Sequence, residues 1–371
     1  YLGINVNPEN FTPKQGLYYV EIKAPIGRNM LIDARRVALQ QARYLRELNA
    51  AEQVKIINKL LLSAVKQYWE WYQSYQKLKI QEEGLALATF RLNAINQAIL
   101  VGDGAPIDSV ENRLEVLKRS MNLQEAQIEF QNQTLLLSNF LWGEDNQPRE
   151  LPSFAIPYPY DFSSLELSLY LLDSLQNYAR FYHPEIIKQQ IKLLQYDLER
   201  KLRMNELLPD IDMDLKPFLI PHSEEYGFTQ PYDAFYWRQN FKIGFNFYMP
   251  LFLRKERGKL TKIKLKIQQT EYELLNQRRE IETELSVSYN ETKNLERLIA
   301  LQKQTVEYSQ RMLEAEQIKF ENGESSLFVV NRRERSLLAE KEKLLELQVK
   351  YAKANAQFYF ASGIPISNFF K

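Results

Sequence analysis

Two short stretches of this chain alternate apolar and polar residues and then stop at a proline. One is Leu17-Tyr-Tyr-Val-Glu-Ile-Lys-Ala-Pro25, the other Phe241-Lys-Ile-Gly-Phe-Asn-Phe-Tyr-Met-Pro250. A period of two sends successive side chains to opposite faces, so both are predicted strands. A third alternation follows Pro209, with Ile211, Met213 and Leu215 on one face and Asp210, Asp212, Asp214 and Lys216 on the other. In the last stretch Phe241, Ile243, Phe245, Phe247 and Met249 share the face opposite Lys242, Gly244, Asn246 and Tyr248. That third strand is expected over about Ile211–Ile220, and a fourth over about Tyr1–Val6. An ordinary half-buried hairpin would fit such segments, but the remaining sequence offers nothing to cover the apolar face.

The rest reads as helix. All 15 prolines avoid the stretches 26–105, 107–147, 185–208 and 251–364. Proline inside a helix costs about 3 kcal/mol, so long proline-free stretches rich in Leu, Glu, Gln, Lys and Ala predict long helices. The longest, from Leu251 to Asn322, would extend roughly 100 Å at 1.5 Å per residue, too long for a globular core. It implies a coiled coil or the wall of an elongated assembly. Ile267, Leu274, Ile281 and Leu295 form one heptad series, interrupted by Ser288. Leu285, Ile299, Val306, Leu313 and Phe320 form a second, interrupted by Thr292. Two offset series predict packing on more than one side of that helix. A shorter amphipathic helix is expected over Leu165–Tyr182. Another starts with Pro184 in its first turn and runs to Leu208, stopping at Pro209.

The long helices also repeat. Tyr68 matches Tyr289 and Gly102 matches Gly323, both 221 residues apart. Each glycine ends a long helix, and a returning helix follows to near Gly143 or Gly363. Fixed-period similarity of this kind marks an internal duplication. Residues 1–143 read as a first repeat without its opening helix, and 184–363 as a second, complete one. Between them 144–183 is an inter-repeat segment, whose Gly143–Phe162 stretch holds Pro148, Pro152, Pro157 and Pro159. Residues 364–371 are a tail.

Composition narrows the function. The chain has 371 residues, 48 basic and 47 acidic, so no charge excess suggests a nucleic-acid partner. It has no cysteine, which excludes disulfides and thiolate chemistry. No apolar run approaches the roughly 20 residues of a transmembrane helix. The two histidines, His183 at a helix start and His222 in a loop, are too far apart in sequence to suggest a metal site. No Ser/His/Asp arrangement or phosphate-binding glycine loop stands out, so neither enzyme nor cofactor is expected. The chain opens at Tyr1 without methionine or signal peptide, and is read as a mature or truncated fragment.

An apolar strand face turned to lipid and a charged face turned to a water-filled lumen would satisfy both sides of the sheet. Tyr226, Phe228, Tyr232, Phe235, Tyr236 and Trp237 in the loop Pro221–Asn240 suit either loop packing or a membrane interface. Four strands cannot close a barrel, and open edges are not tolerated in lipid. Two copies would give eight strands and three would give twelve. Twelve leave room for a channel more readily, so a homotrimer is expected.

These features together resemble the TolC-like outer-membrane efflux proteins over nearly the whole chain. The resemblance rests on the duplicated unit, the Leu208-Pro209 step from helix into strand, the exit Met249-Pro250-Leu251-Phe252 and the glycine turns. His183-Pro184-Glu185 is similar to the family's Asn-Pro-Glu helix start, with His in place of Asn. The resemblance implies a mixed α/β membrane protein. Four strands per chain would form a 12-stranded barrel in a trimer, continuous with a long periplasmic helical barrel. It further implies that the N-terminal portion, with its first helix, is missing before Tyr1.

Gly102-Asp-Gly-Ala-Pro-Ile-Asp108 resembles the family's periplasmic tip, where aspartate follows glycine by six residues. Three copies of Asp108 around a tunnel mouth would attract cations and make closure charge-sensitive. The plainer reading makes Asp108 the N-cap of the returning helix, with Glu111 completing a capping box. The second turn, Gly323-Glu-Ser-Ser-Leu-Phe-Val329, has valine where the aspartate would be, and Phe328 with Val329 could form an apolar constriction. Gly102, Asp103, Gly104, Gly323, Glu324 and Ser325 are expected to dock the hairpins of a periplasmic adaptor. Ile211, Met213, Leu215, Phe241, Ile243, Phe245 and Phe247 are expected to face lipid. The run Arg332-Arg333-Glu334-Arg335 reads as a solvated helix face.

The expected function is the passive exit duct of a tripartite efflux system in a Gram-negative outer membrane. It would carry drugs or other small molecules, with a periplasmic adaptor (a membrane fusion protein) and an inner-membrane transporter as partners. The alternatives are the exit duct of a type I protein-secretion system and, in a different class, a soluble coiled-coil scaffold or adaptor.

Overall fold

The computed structural model describes residues 18–102, 105–152, 154–162, 168–219 and 241–365. The order of elements is β1 (Tyr18–Tyr19), β2 (Ile22–Pro25), α1 (Ala34–Leu100), α2 (Pro106–Ser138), α3 (Leu169–Tyr182), α4 (Pro184–Asn205), β3 (Asp210–Leu219), β4 (Phe241–Tyr248), α5 (Arg254–Glu321) and α6 (Leu327–Ala361). The strand expected over Tyr1–Val6 and the aromatic loop of 221–240, with His222, lie outside the described residues. α1 and α5 start 220 residues apart and end 221 apart, and α2 and α6 start 221 apart. The chain divides into two compact units, one of residues 1–50 and 188–275, the other of 51–187 and 276–371.

The first unit holds the sheet. β3 is central and antiparallel to its neighbours, with β1 and β2 on one side and β4 on the other. β1 and β2 are two pieces of the single predicted strand. Both keep one register, with Tyr19 opposite Phe218 and Ile22 opposite Leu215. The ladder lapses beside Pro217, which has no N–H to donate. Register fixes the faces. Ile22, Leu215 and Ile243 lie in one row, Ala24, Met213 and Phe245 in the next, and Ile211 pairs with Phe247. That face is wholly apolar and uncovered, with Phe245 and Phe247 each 68% exposed. The other face carries Lys23, Asp210, Asp212, Asp214 and Asn246, where Asn246 donates to Asp214 at 2.7 Å. Lys216 lies 3.4 Å from Glu21 across the ladder.

Entry to and exit from the sheet lie against each other. Arg28 N–H donates to the Pro209 carbonyl at 3.0 Å, and Ile26 N–H to the Ile211 carbonyl at 2.8 Å. A Cβ on Gly27 would sit 2.7 Å from the Pro209 oxygen, so only glycine allows that crossing. Asp33 then caps α1 by accepting from Arg36 N–H at 2.8 Å. Asn205 at the end of α4 donates to the Ile32 carbonyl at 2.7 Å.

The second unit is helical. α6 packs on α5 through Leu295, Ile299, Tyr351 and Ala354, and nearer the turn through Leu313, Val330 and Leu337. It packs on α1 through Trp69, Tyr72, Leu345, Val349 and Ala352, with Phe162 of the linker in the same cluster. α1 and α2 are joined by Trp71 Nε1 donating to Thr134 at 2.9 Å and by Lys77 with Glu129 at 2.8 Å. Within this unit the two expected heptad series of α5 are one seam, not two. Ile281, Leu285, Ser288, Thr292, Leu295 and Ile299 are all buried. A four-residue offset is the spacing between the two core positions of a single coiled-coil face, so Ser288 and Thr292 belong to it.

A second set of apolar residues stays in the open. On α2, Ile107, Val110, Leu114, Leu117, Met121, Ile128 and Leu135 follow a three–four spacing and are 53–67% exposed. On α5, Leu298, Leu301, Tyr308 and Met312 follow the same spacing and are 39–61% exposed.

His183 joins α3 to α4. Its Nδ1 accepts from Glu185 N–H at 3.2 Å, so it caps α4 with Pro184 in the first helical position. Gly363, at φ +72°, brings the end of α6 onto it; a Cβ there would be 2.6 Å from His183 Cδ2. Burial pushes the imidazole down to about 4. The folded protein thus favours the neutral ring. This contribution to stability is complete above the ordinary value near 6.5 and is lost as pH falls from there toward 4. The span corresponds to about 3 kcal/mol at most. His183→Asn keeps a capping acceptor without a titrating group. Relative to the parent, its melting temperature is expected to fall less between pH 6.5 and 4, measured by circular dichroism.

Candidate functional site: the helical turns and the exposed sheet face

α1 and α5 both end in a left-handed glycine. At the second turn, Glu324 N–H donates to the Lys319 carbonyl at 2.8 Å and Gly323 N–H to the Phe320 carbonyl at 3.0 Å, with Gly323 at φ +76°. This is a Schellman motif, which needs a left-handed residue that glycine supplies without steric cost. Gly102 has φ +85° and donates to the Ile99 carbonyl at 3.1 Å. Around both glycines the space is open. Asp103 and Gly104 lie outside the described residues. Glu324 is exposed, while Ser325 is half-buried with its Oγ 2.5 Å from Glu316 Oε1.

Asp108 does not cap α2. The helix starts at Pro106, so its N-cap is Ala105, which makes no side-chain cap bond. Proline's fixed φ initiates the helix two residues ahead of the aspartate and displaces the expected capping box with Glu111. Asp108 instead lies in the first turn, half-buried, where a carboxylate favours the positive end of the helix dipole. α6 likewise begins after Ser326 without a side-chain cap bond. Leu327 is buried there, Phe328 is 54% exposed and Val329 is half-buried.

Sequence reasoning missed the charges behind these turns. Glu334, assigned with its arginine neighbours to a solvated face, is buried, as are Asn112, Glu115, Arg119 and Asn331. Arg119 donates to Glu334 at 2.9 Å and to Glu115 at 3.0 Å. The available signal was position. Asn112, Glu115 and Arg119 follow core spacing on α2, and Glu334 falls between the core residues Val330 and Leu337 of α6.

The exposed apolar sheet face and the paired glycine turns decide the comparison with known proteins. Residues 236–364 match the family model described as outer membrane efflux protein. That match covers about a third of the chain. The family so described is one of outer membrane efflux proteins. The whole described fold is that of TolC-like channels. It is similar to the outer membrane protein VceC of Vibrio cholerae at 15% identity and a TM-score of 0.68, over 94% of this chain and 86% of that one. Against the MtrE outer membrane channel of Neisseria gonorrhoeae, solved in its open state, the identity is 12% and the TM-score 0.68, over 94% and 80%. Against CusC the values are 16% and 0.66, over 94% and 82%. No curated protein matches by sequence search. Among the described residues no helix is long and apolar enough to cross a membrane.

Proposed function

We propose that three copies of this chain form a passive exit duct of a tripartite efflux system, conducting small molecules through the outer membrane and along a periplasmic helical barrel. The observation that carries this reading is the sheet. One face is wholly apolar and uncovered, the other is charged, and its outer strands β1, β2 and β4 pair only with β3 among the described residues. In lipid such a sheet must close on copies of itself, because unpaired backbone groups there cost several kcal/mol each. With the strand expected over Tyr1–Val6 as the fourth, three copies give twelve strands with a lumen.

The boundaries 1–143, 144–183 and 184–363, with a tail at 364–371, then describe a duplicated unit whose copies each supply a helical hairpin to the wall. The turns at Gly102 and Gly323, with Glu324 and Ser325, are the surface offered to a periplasmic adaptor, itself joined to an inner-membrane transporter. Asp108, Phe328 and Val329 line the narrow end. In this reading the exported class is small molecules, and energy comes from the partners.

Purified protein in a planar bilayer is expected to give discrete ion-conducting steps, and cross-linked samples a trimer. Solubility in plain buffer with no conductance would overturn the reading in favour of a soluble scaffold.

A further inference from the structure

Charges shielded from solvent tie α6 to α1 and α2 well above their turns. Arg119 Nη1 donates to Glu334 Oε1 at 2.9 Å and to the Gly84 carbonyl of α1 at 2.6 Å. Its Nε donates to Glu115 Oε1 at 3.0 Å. Arg91 Nη2 lies 2.5 Å from Glu334 Oε2, and its Nη1 donates to Asn331 Oδ1 at 2.7 Å. Arg335 Nε approaches Glu115 Oε2 at 3.9 Å. One carboxylate of α6 therefore receives a guanidinium from α1 and another from α2.

Burying such pairs costs desolvation, and well-packed apolar residues would often do as well or better for stability. What a buried ion pair adds is a geometry that only one register satisfies. We infer that this cluster is a registry clasp, fixing the axial position of α6 against α1 and α2 and so holding the two turns level. The spacing carries the inference. Arg91 precedes Gly102 by eleven residues and Glu334 follows Gly323 by eleven. Each is roughly 16 Å of helix from its own turn. A slip of α6 by one helical turn would carry Glu334 about 5 Å away, take the carboxylate from half-buried Arg91 and leave buried Arg119 with Glu115 alone. Gly84 completes the fit, because a Cβ there would lie 3.1 Å from Leu338 Cδ1 of α6. The register is a property of the fold, independent of what docks on the turns.

The chain has no cysteine, so spin labels can be placed at Leu100→Cys and Asn322→Cys without background. The test uses the full chain in detergent, with labelled copies diluted in unlabelled ones, and pulsed dipolar spectroscopy to read the distance. The parent is expected to give one narrow distribution. In the apolar replacement Arg91→Met, Glu115→Leu, Arg119→Met, Glu334→Leu the distribution is expected to broaden at least twofold while helix content is retained. A folded apolar variant with the parent's narrow distribution would overturn the clasp. Should that variant fail to fold, Glu334→Gln carries the test, since it keeps side-chain size and removes the charge. It is expected to broaden the distribution too, and a width equal to the parent's counts against the clasp in the same way.

Discussion

Phe245→Arg is expected to abolish assembly in the outer membrane, whereas Asn246→Arg, one residue away, is expected to be tolerated. Phe245 lies in the row with Met213 and Ala24 on the uncovered apolar face, and Asn246 lies on the charged face opposite Asp212. An arginine facing lipid near the bilayer midplane costs about 2–4 kcal/mol. Three copies of the change sum to about 6–12 kcal/mol, comparable to the whole stability of a typical protein. On the opposite face the same side chain would meet water and the carboxylates of Asp212 and Asp214, where it costs little. The measurement is the amount of trimer in outer-membrane fractions after density-gradient separation. Equal tolerance of both changes would mean that protein, not lipid, covers the apolar face, and would favour the scaffold reading. Equal loss would mean that the strand tolerates no arginine at all, so that face identity is not what selects.

How far the sequence carried this depends on which physical signal wrote each part. The described strands were legible to within two residues because a period of two and a terminating proline act locally; β3 and β4 lie where Ile211–Ile220 and Phe241–Met249 placed them. The turns were legible for the same reason, since Gly102 and Gly323 are read from a backbone requirement of one residue. The capping role read for Asp108 failed because two local rules competed and Pro106 prevailed. The clasp was not legible at all. Its charges are buried by residues hundreds of positions away, and composition alone assigns Arg332–Arg335 to solvent. The seam of α5 shows the same limit from the other side: Ser288 and Thr292 looked like interruptions, yet both are core positions once α6 lies against them.

The exposed stripes of α2 and α5 lead to the second large effect. In the proposed trimer, stripes carried by different helices would join copies through unlike surfaces, and unlike surfaces generate rings. If the clasp keeps the turns level, residues equally distant from Gly102 and Gly323 lie at equal heights. That pairs Ile107 with Ile318 and Leu117 with Tyr308, each of them exposed in the single chain. Leu117→Glu is therefore expected to convert trimers to monomers. Burying a leucine contributes about 1.5–3 kcal/mol, and a carboxylate forced into the same place adds a desolvation cost, repeated at all three interfaces. Lys118→Glu, on the solvated side of the same turn, is expected to leave the trimer intact. Light scattering of the detergent-solubilised protein reads the difference. A direct check is the double variant Leu117→Cys with Tyr308→Cys, which should oxidise to covalent dimers and trimers on a denaturing gel, while Lys118→Cys with Tyr308→Cys should not. Monomeric bands alone from the first pair, in a sample that scatters as a trimer, would mean that the copies meet along some other surface and that the two stripes are covered by a different partner.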